Sequence, residues 1–165
     1  MKWSPDGKSL ASGGNDNIVC LWDLGRTQPR AILDDHKAGI KAMDWCPWQK
    51  GLLATGGGTQ DKTIKLWMAD TGQLIHSQDV GSQVSSLIWN KYDKELLSGH
   101  GFTHNQLSLW SYPTMTKFGD LKGHTNRVLS MCLSPDGRTV LSAAADETLR
   151  FWKLFEDDGE KKSKL

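Results

Sequence analysis

Three residues in the last quarter of the chain carry the side chains of a hydrolase. His124, Ser142 and Asp146 could supply a base, a nucleophile and an orienting acid. Two other stretches invite chemistry. "GGGTQDKT" (56–63) has the glycines and the Lys-Thr of a phosphate-cradling loop, but Asp61 stands where that loop needs a glycine before its lysine. "HGFTH" sets His100 and His104 four apart; on one helix face they could share a metal, whereas in a hairpin they read as polar turn residues. Cys20, Cys46 and Cys132 are odd in number, far apart, and sit inside apolar strand-like runs, so they read as buried, reduced thiols rather than a disulfide or metal set.

What argues against catalysis is repetition. Trp22, Trp67, Trp110 and Trp152 each close an alternating apolar run ("IVCLW", "TIKLW", "QLSLW", "TLRFW"), at spacings of 45, 43 and 42 residues. Trp3, Trp45, Trp89 and Leu133 mark an earlier strand, followed by turns such as "WSPDG", "WCPWQKG" and "LSPDG". Between the two series lie "LASGG", "LATGG", "LLSGH" and "VLSAA". Each unit thus reads strand, turn, strand, small-residue hairpin, strand ending in Trp, then a looser segment. Four strands in about 40–45 residues is the signature of a β-propeller blade of the WD-repeat type. The fold predicted is all-β: about four blades of a presumed seven-bladed propeller, with repeats near 1–35, 36–80, 81–123 and 124–155, and a charged, disordered tail at 156–165. Four such blades would leave two open edges, which points to a chain that is the C-terminal half of the propeller.

The polar residues fall into the same register. Asp16, Asp61 and Asp146 each precede their tryptophan by six residues; in the third repeat that place is His104. Ser12, Thr55, Ser98 and Ser142 lie on the preceding strand, and His36 and His124 come just before the first strand of the second and fourth repeats. A buried histidine can join the Asp to the hydroxyl, and the hydroxyl can accept from the indole of Trp22, Trp67 or Trp152, pinning the blade. The third repeat has Ser82-Gln83 in place of the histidine, so its network is expected to be incomplete. Trp48, after a proline in a turn, is expected to pack rather than to await a partner.

Composition narrows the function. A net charge of +1 leaves no overall field to attract nucleic acid or an anionic membrane. No stretch approaches the roughly 18 apolar residues of a membrane span, and the largely polar residues 2–9 do not form a signal peptide. Neither a metal nor a cofactor is implied.

Several loops carry more than a generic blade needs. "LASGGNDN", "WCPWQKGLLATGGGTQDKTI", "GSQVSSLIW", "KELLSGHGFTHNQLSLWSYP", "LKGHTNRVLS" and "LSPDGRTVLSAAADETLRFWKLF" resemble the Fizzy family, the cell-division-cycle-20 and Fizzy-related activators of the anaphase-promoting complex, a ubiquitin ligase. "CPW" and "SYPTM" resemble the cell-division-cycle-20 branch more closely. The resemblance implies a non-catalytic receptor for degradation signals, located in nucleus and cytoplasm. Its partners would be subunits of the ligase, substrates with KEN boxes (Lys-Glu-Asn) or destruction boxes (Arg-x-x-Leu), and spindle-checkpoint proteins. Matched onto this chain, the family's KEN site falls on Asn15, Asn17, Thr59, Gln83 and Arg127. Amides can pair with the peptide's amide and carboxylate, and Arg127 with its glutamate. Glu147 matches the acid that faces the destruction-box arginine; the partner acid belongs to a blade outside these residues, so that site is expected to be half-formed.

In the hairpin at 13–18, Gly13, Gly14 and Asp16 are expected to make the turn and Asn15 and Asn17 to be surplus to it, facing a ligand. The family's N-terminal docking segment and its closing Ile-Arg pair have no match in these 165 residues, which end "EKKSKL"; this argues against direct ligase activation by the chain alone. A generic WD-repeat scaffold and a truncated copy without independent activity are the alternative readings.

Overall fold

The computed structural model describes residues 1–102 and 104–155; the tail expected at 156–165 lies outside them. Every regular element described is a β-strand, and among the described residues no helix is long and apolar enough to cross a membrane. The first sheet holds β1 (Lys2–Trp3), β2 (Ser9–Gly13), β3 (Val19–Asp23) and β4 (Ala31–Leu33). The second holds β5 (Ile40–Trp45), β6 (Leu52–Gly57), β7 (Thr63–Met68) and β8 (Gln73–Asp79). The third holds β9 (Val84–Trp89), β10 (Glu95–His100), β11 (Leu107–Ser111) and β12 (Thr116–Leu121); the fourth holds β13 (Val128–Leu133), β14 (Thr139–Ala144) and β15 (Leu149–Lys153). Each sheet is an antiparallel meander in chain order.

The sheets fan around a common axis, because the first strands touch in succession: β1 with β5, β5 with β9, β9 with β13. Strand alternation explains why. Successive side chains point to opposite faces, and a blade sandwiched between two others must be apolar on both. Leu53 of β6 packs with Ala11, Val19 and Leu21 of the first blade, while its neighbours Leu52 and Ala54 pack with Val84, Leu87 and Trp89 of the third. Leu96 and Leu97 divide the same way between the second and fourth blades. Burying each such side chain contributes about 1.5–3 kcal/mol.

The first-strand tryptophans also stitch blade to blade. Trp45 Nε1 donates to the Lys2 carbonyl at 3.0 Å, and Trp89 Nε1 to the Asp44 carbonyl at 3.2 Å. Trp48 packs: its indole donates to the Asn90 carbonyl at 3.1 Å and stacks edge-on against Trp89, with ring centroids 5.6 Å apart. The thiols differ from expectation. Cys46 is buried and Cys20 partly so, but Cys132 is exposed, because it takes the outward position between Met131 and Leu133 on β13.

In a meander of this kind, the turns joining second to third strands and the loops leading into first strands lie at the same end of every sheet. Asn15, Asn17, Thr59 and Glu147 sit on the former, and Gln83 and Arg127 on the latter. The topology alone therefore brings these residues to one rim.

Candidate functional site

The polar sets beneath that rim form continuous hydrogen-bonded chains. In the second blade His36 Nδ1 meets Asp61 Oδ2 at 2.7 Å, and its Nε2 meets Thr55 Oγ1 at 2.7 Å. Thr55 Oγ1 in turn accepts from Trp67 Nε1 at 2.8 Å. In the fourth blade His124 meets Asp146 at 2.9 Å and Ser142 at 2.7 Å, and Ser142 accepts from Trp152 at 2.8 Å. In the first blade Trp22 donates to Ser12 at 2.8 Å, and Asp16 Oδ1 accepts from the Ile18 amide at 3.2 Å. Ser142 is 0% exposed and its hydroxyl is engaged by both His124 and Trp152, so it does not face solvent as a nucleophile would.

The third blade departs from expectation. Its network is complete, but rewired. His100, the last residue of β10, turns inward: its Nε2 meets Ser98 Oγ at 2.6 Å and its Nδ1 meets Ser82 Oγ at 3.0 Å. Ser98 accepts from Trp110 Nε1 at 2.7 Å. The histidine comes from the strand instead of the loop, and a serine takes the place of the aspartate. His100 is thus no loop residue, and both its ring nitrogens are occupied; among the described residues no group of three His, Cys, Asp or Glu could hold a metal.

The exchange has an electrostatic consequence. Burial pushes His100 down to about 4, and contact with the Gln83 backbone offsets only part of this. Burial also lowers His36, although Asp61 pulls the other way. Burial by itself would raise Asp61, but bonds from Thr63, the Lys37 amide and His36 outweigh it and hold the carboxyl below its ordinary range.

On the rim, one hydrogen bond joins two of the five residues matched to the KEN site, Thr59 and Gln83, and another holds a third, Asn15, to Lys41. Lys41 Nζ donates to Asn15 Oδ1 at 3.1 Å, and Thr59 Oγ1 donates to Gln83 Oε1 at 3.1 Å. Lys41, Gln83, Ser85, Phe102, Arg127 and Leu129 line one open cavity of about 430 Å³, and no carboxylate is among its lining residues. The Arg127 guanidinium lies 5.8 Å from the Phe102 ring centroid. Gly101 makes the close approach possible: a Cβ there would stand 2.3 Å from Gln83 Nε2 and 3.0 Å from Arg127 Cβ. A second cavity, of about 540 Å³, opens between the first two blades, but there Arg30 is already held by Asp23 at 2.9 Å and by the Ala69 carbonyl at 2.7 Å.

Of the residues matched to the two peptide sites, only Gln83 and Arg127 line the cavity; Asn15 and Thr59 each touch it through one bonded lining residue, and Asn17 and Glu147 stand outside it. Nor is Asn17 surplus to its turn. It has φ 68°, and Lys62 and Glu147 occupy the equivalent left-handed places at 58° and 62°. Asparagine relieves the strain of that conformation better than most residues do. Lys41 and Phe102 escaped the sequence reading. Lys41 is the one exposed residue of β5, and Phe102 is an aromatic in a hairpin; neither type is unusual there.

A family model described as the CDC20/Fizzy WD40 domain matches residues 1–152. The chain belongs to the CDC20/Fizzy family. It is 56% identical over 161 residues to Arabidopsis thaliana "Cell division cycle 20.1, cofactor of APC complex", covering 94% of this chain and 35% of that protein. Against Schizosaccharomyces pombe "WD repeat-containing protein slp1" it is 50% identical, with 98% and 34% covered. A chain of the solved "Crystal Structure of Mitotic Checkpoint Complex" superposes with a TM-score of 0.90 at 51% identity, covering 93% of this CDC20/Fizzy chain and 48% of that one. The chain thus spans about a third of the length of these curated relatives.

Proposed function

We propose that this chain is the substrate-reading part of an activator of the anaphase-promoting complex, and that its rim captures KEN-type peptides. The observation that carries the reading is a cavity with two cations and no carboxylate that Gln83 and Arg127 line, with Asn15 bonded to its Lys41 and Thr59 bonded to its Gln83. Such a site favours an acidic residue flanked by an amide. Relatives named as cofactors of the complex support the ligase as a partner, and the likeness to a chain of a mitotic checkpoint complex supports checkpoint proteins as others. Glu147, exposed on the β14–β15 turn, supplies one acid of a destruction-box site.

The reading is tested by fluorescence anisotropy with a labelled Lys-Glu-Asn peptide and its scrambled control. The expected result is saturable binding of the first alone, weakened at least about tenfold by Arg127→Ala, the loss of one charge-assisted contact. Equal binding of both peptides, or indifference to Arg127→Ala, rejects it.

A further inference from the structure

Phe102 is 53% exposed and Leu129 49% exposed, and both line the same cavity as Lys41 and Arg127. Phe102 holds its place at φ 36°, a left-handed backbone that is uncommon for an aromatic residue. Its ring is left in solvent, with the Arg127 guanidinium across it. The cavity therefore has a cationic side, from Lys41 and Arg127, and an apolar side, from Phe102 and Leu129, over the buried Val128. No carboxylate in the lining neutralises the cations. A purely polar peptide would leave the apolar side wet, and a purely apolar one would strip water from two charges without compensation.

We propose that Phe102 and Leu129 form a subsite for an apolar side chain next to the acidic residue of the bound peptide, whose carboxylate lies between Lys41 and Arg127. This rests on the KEN reading and adds a specificity that the tripeptide lacks: degradation signals with a leucine, valine or similar residue beside the motif are preferred over those flanked by glycine or charge. Lys41 releases Asn15 Oδ1, 3.1 Å away in the free protein, to meet the carboxylate.

The test uses the 165-residue chain and a set of labelled peptides. One has Lys-Glu-Asn between glycines; the others carry a single leucine at each of the two positions on either side. The readout is the ratio of the glycine-flanked Kd to the leucine-containing Kd. At least one leucine position is expected to give a ratio of about five to ten, the effect of covering part of one leucine side chain. Phe102→Ala and Leu129→Ser should each bring that ratio toward one. Lys41→Gln and Arg127→Ala should weaken both peptides and leave the ratio standing. A flat leucine scan on a protein that still binds the glycine-flanked peptide through Arg127 overturns the subsite alone. So does a ratio that survives Phe102→Ala. Failure of the glycine-flanked peptide to bind at all overturns the KEN reading and the subsite with it.

Discussion

Acid should weaken this protein through a residue that the other blades do not have. Folded His100 takes up its proton only near pH 4, against 6.5 for histidine in an unfolded chain, because burial penalises its charged form and the Ser82 hydroxyl supplies no counter-charge. Asp120 and Lys117 act on it with opposite signs from the outer strand. Below pH 6.5 the unfolded chain binds a proton that the folded chain refuses, so stability falls with pH until the folded site protonates as well. Between pH 7 and pH 5 the loss at this one site is about 2 kcal/mol. Lowered Asp61 contributes stability that is present above its ordinary value of 3.8 and is lost only below it, outside this window; His36 shifts in the same direction as His100 and adds a common background. Urea unfolding followed by tryptophan fluorescence at the two pH values, for the protein and for His100→Gln, isolates the term. The variant starts less stable, having lost its fit to Ser98, but its drop from pH 7 to pH 5 should be smaller by about 2 kcal/mol. Equal drops in the two proteins would refute the reasoning.

Thr55→Val keeps the side-chain shape but leaves the Trp67 indole and His36 Nε2 unpaired inside the second blade; urea unfolding should show a loss of about 2–4 kcal/mol, against about 1–2 for Ser12→Ala, which frees the Trp22 indole. Gly101→Ala places a methyl against both Gln83 and Arg127, and anisotropy should show the Lys-Glu-Asn peptide weakened about tenfold or more, with tryptophan fluorescence reporting an intact fold. Asn17→Gly should unfold at the same urea concentration as the parent, whereas Asn17→Ala should cost about 1 kcal/mol from its left-handed backbone. Asn17→Gly is also a clean probe of the amide: unchanged peptide affinity would remove Asn17 from the binding set.

The period of the tryptophans was enough to foresee four sheets in chain order, because a strand buried on both faces has to repeat its apolar residues at fixed places. The His-hydroxyl-Trp chains of the second and fourth blades were legible for the same reason. In the third blade the spacing misleads. His100 lies on β10 and not in the loop before β9, yet its ring reaches the same hydroxyl in space; alignment by position sees Ser82 and finds a gap. Asn17 misleads in another way. Its left-handed slot is filled by Lys62 and Glu147 in other blades, so residue type does not reveal the backbone requirement. Phe102 and Lys41 belong to different blades, and only the fan of sheets places them in one cavity.

The blade networks and the rim are mechanically one system. Asp61 Oδ2, besides meeting His36, accepts the Lys37 amide at 2.6 Å, and Asp146 Oδ2 accepts the Thr125 amide at 2.9 Å. Each carboxylate thereby ties the loop entering its blade to the hairpin above its second and third strands. The loop held by Asp146 runs on to Arg127, whose carbonyl accepts the Ala145 amide at 2.9 Å. In the third blade the Ser82–His100 bond does the same for the loop that carries Gln83. A serine contact is weaker than a charged one, and in this blade the Gln83 side chain is held in addition by the Thr59 hydroxyl and by close approach to Gly101 in the hairpin of its own blade. A carboxylate thus fixes the backbone of the loop that carries Arg127, while the guanidinium itself rests against Phe102, and close packing at Gly101 fixes the Gln83 amide.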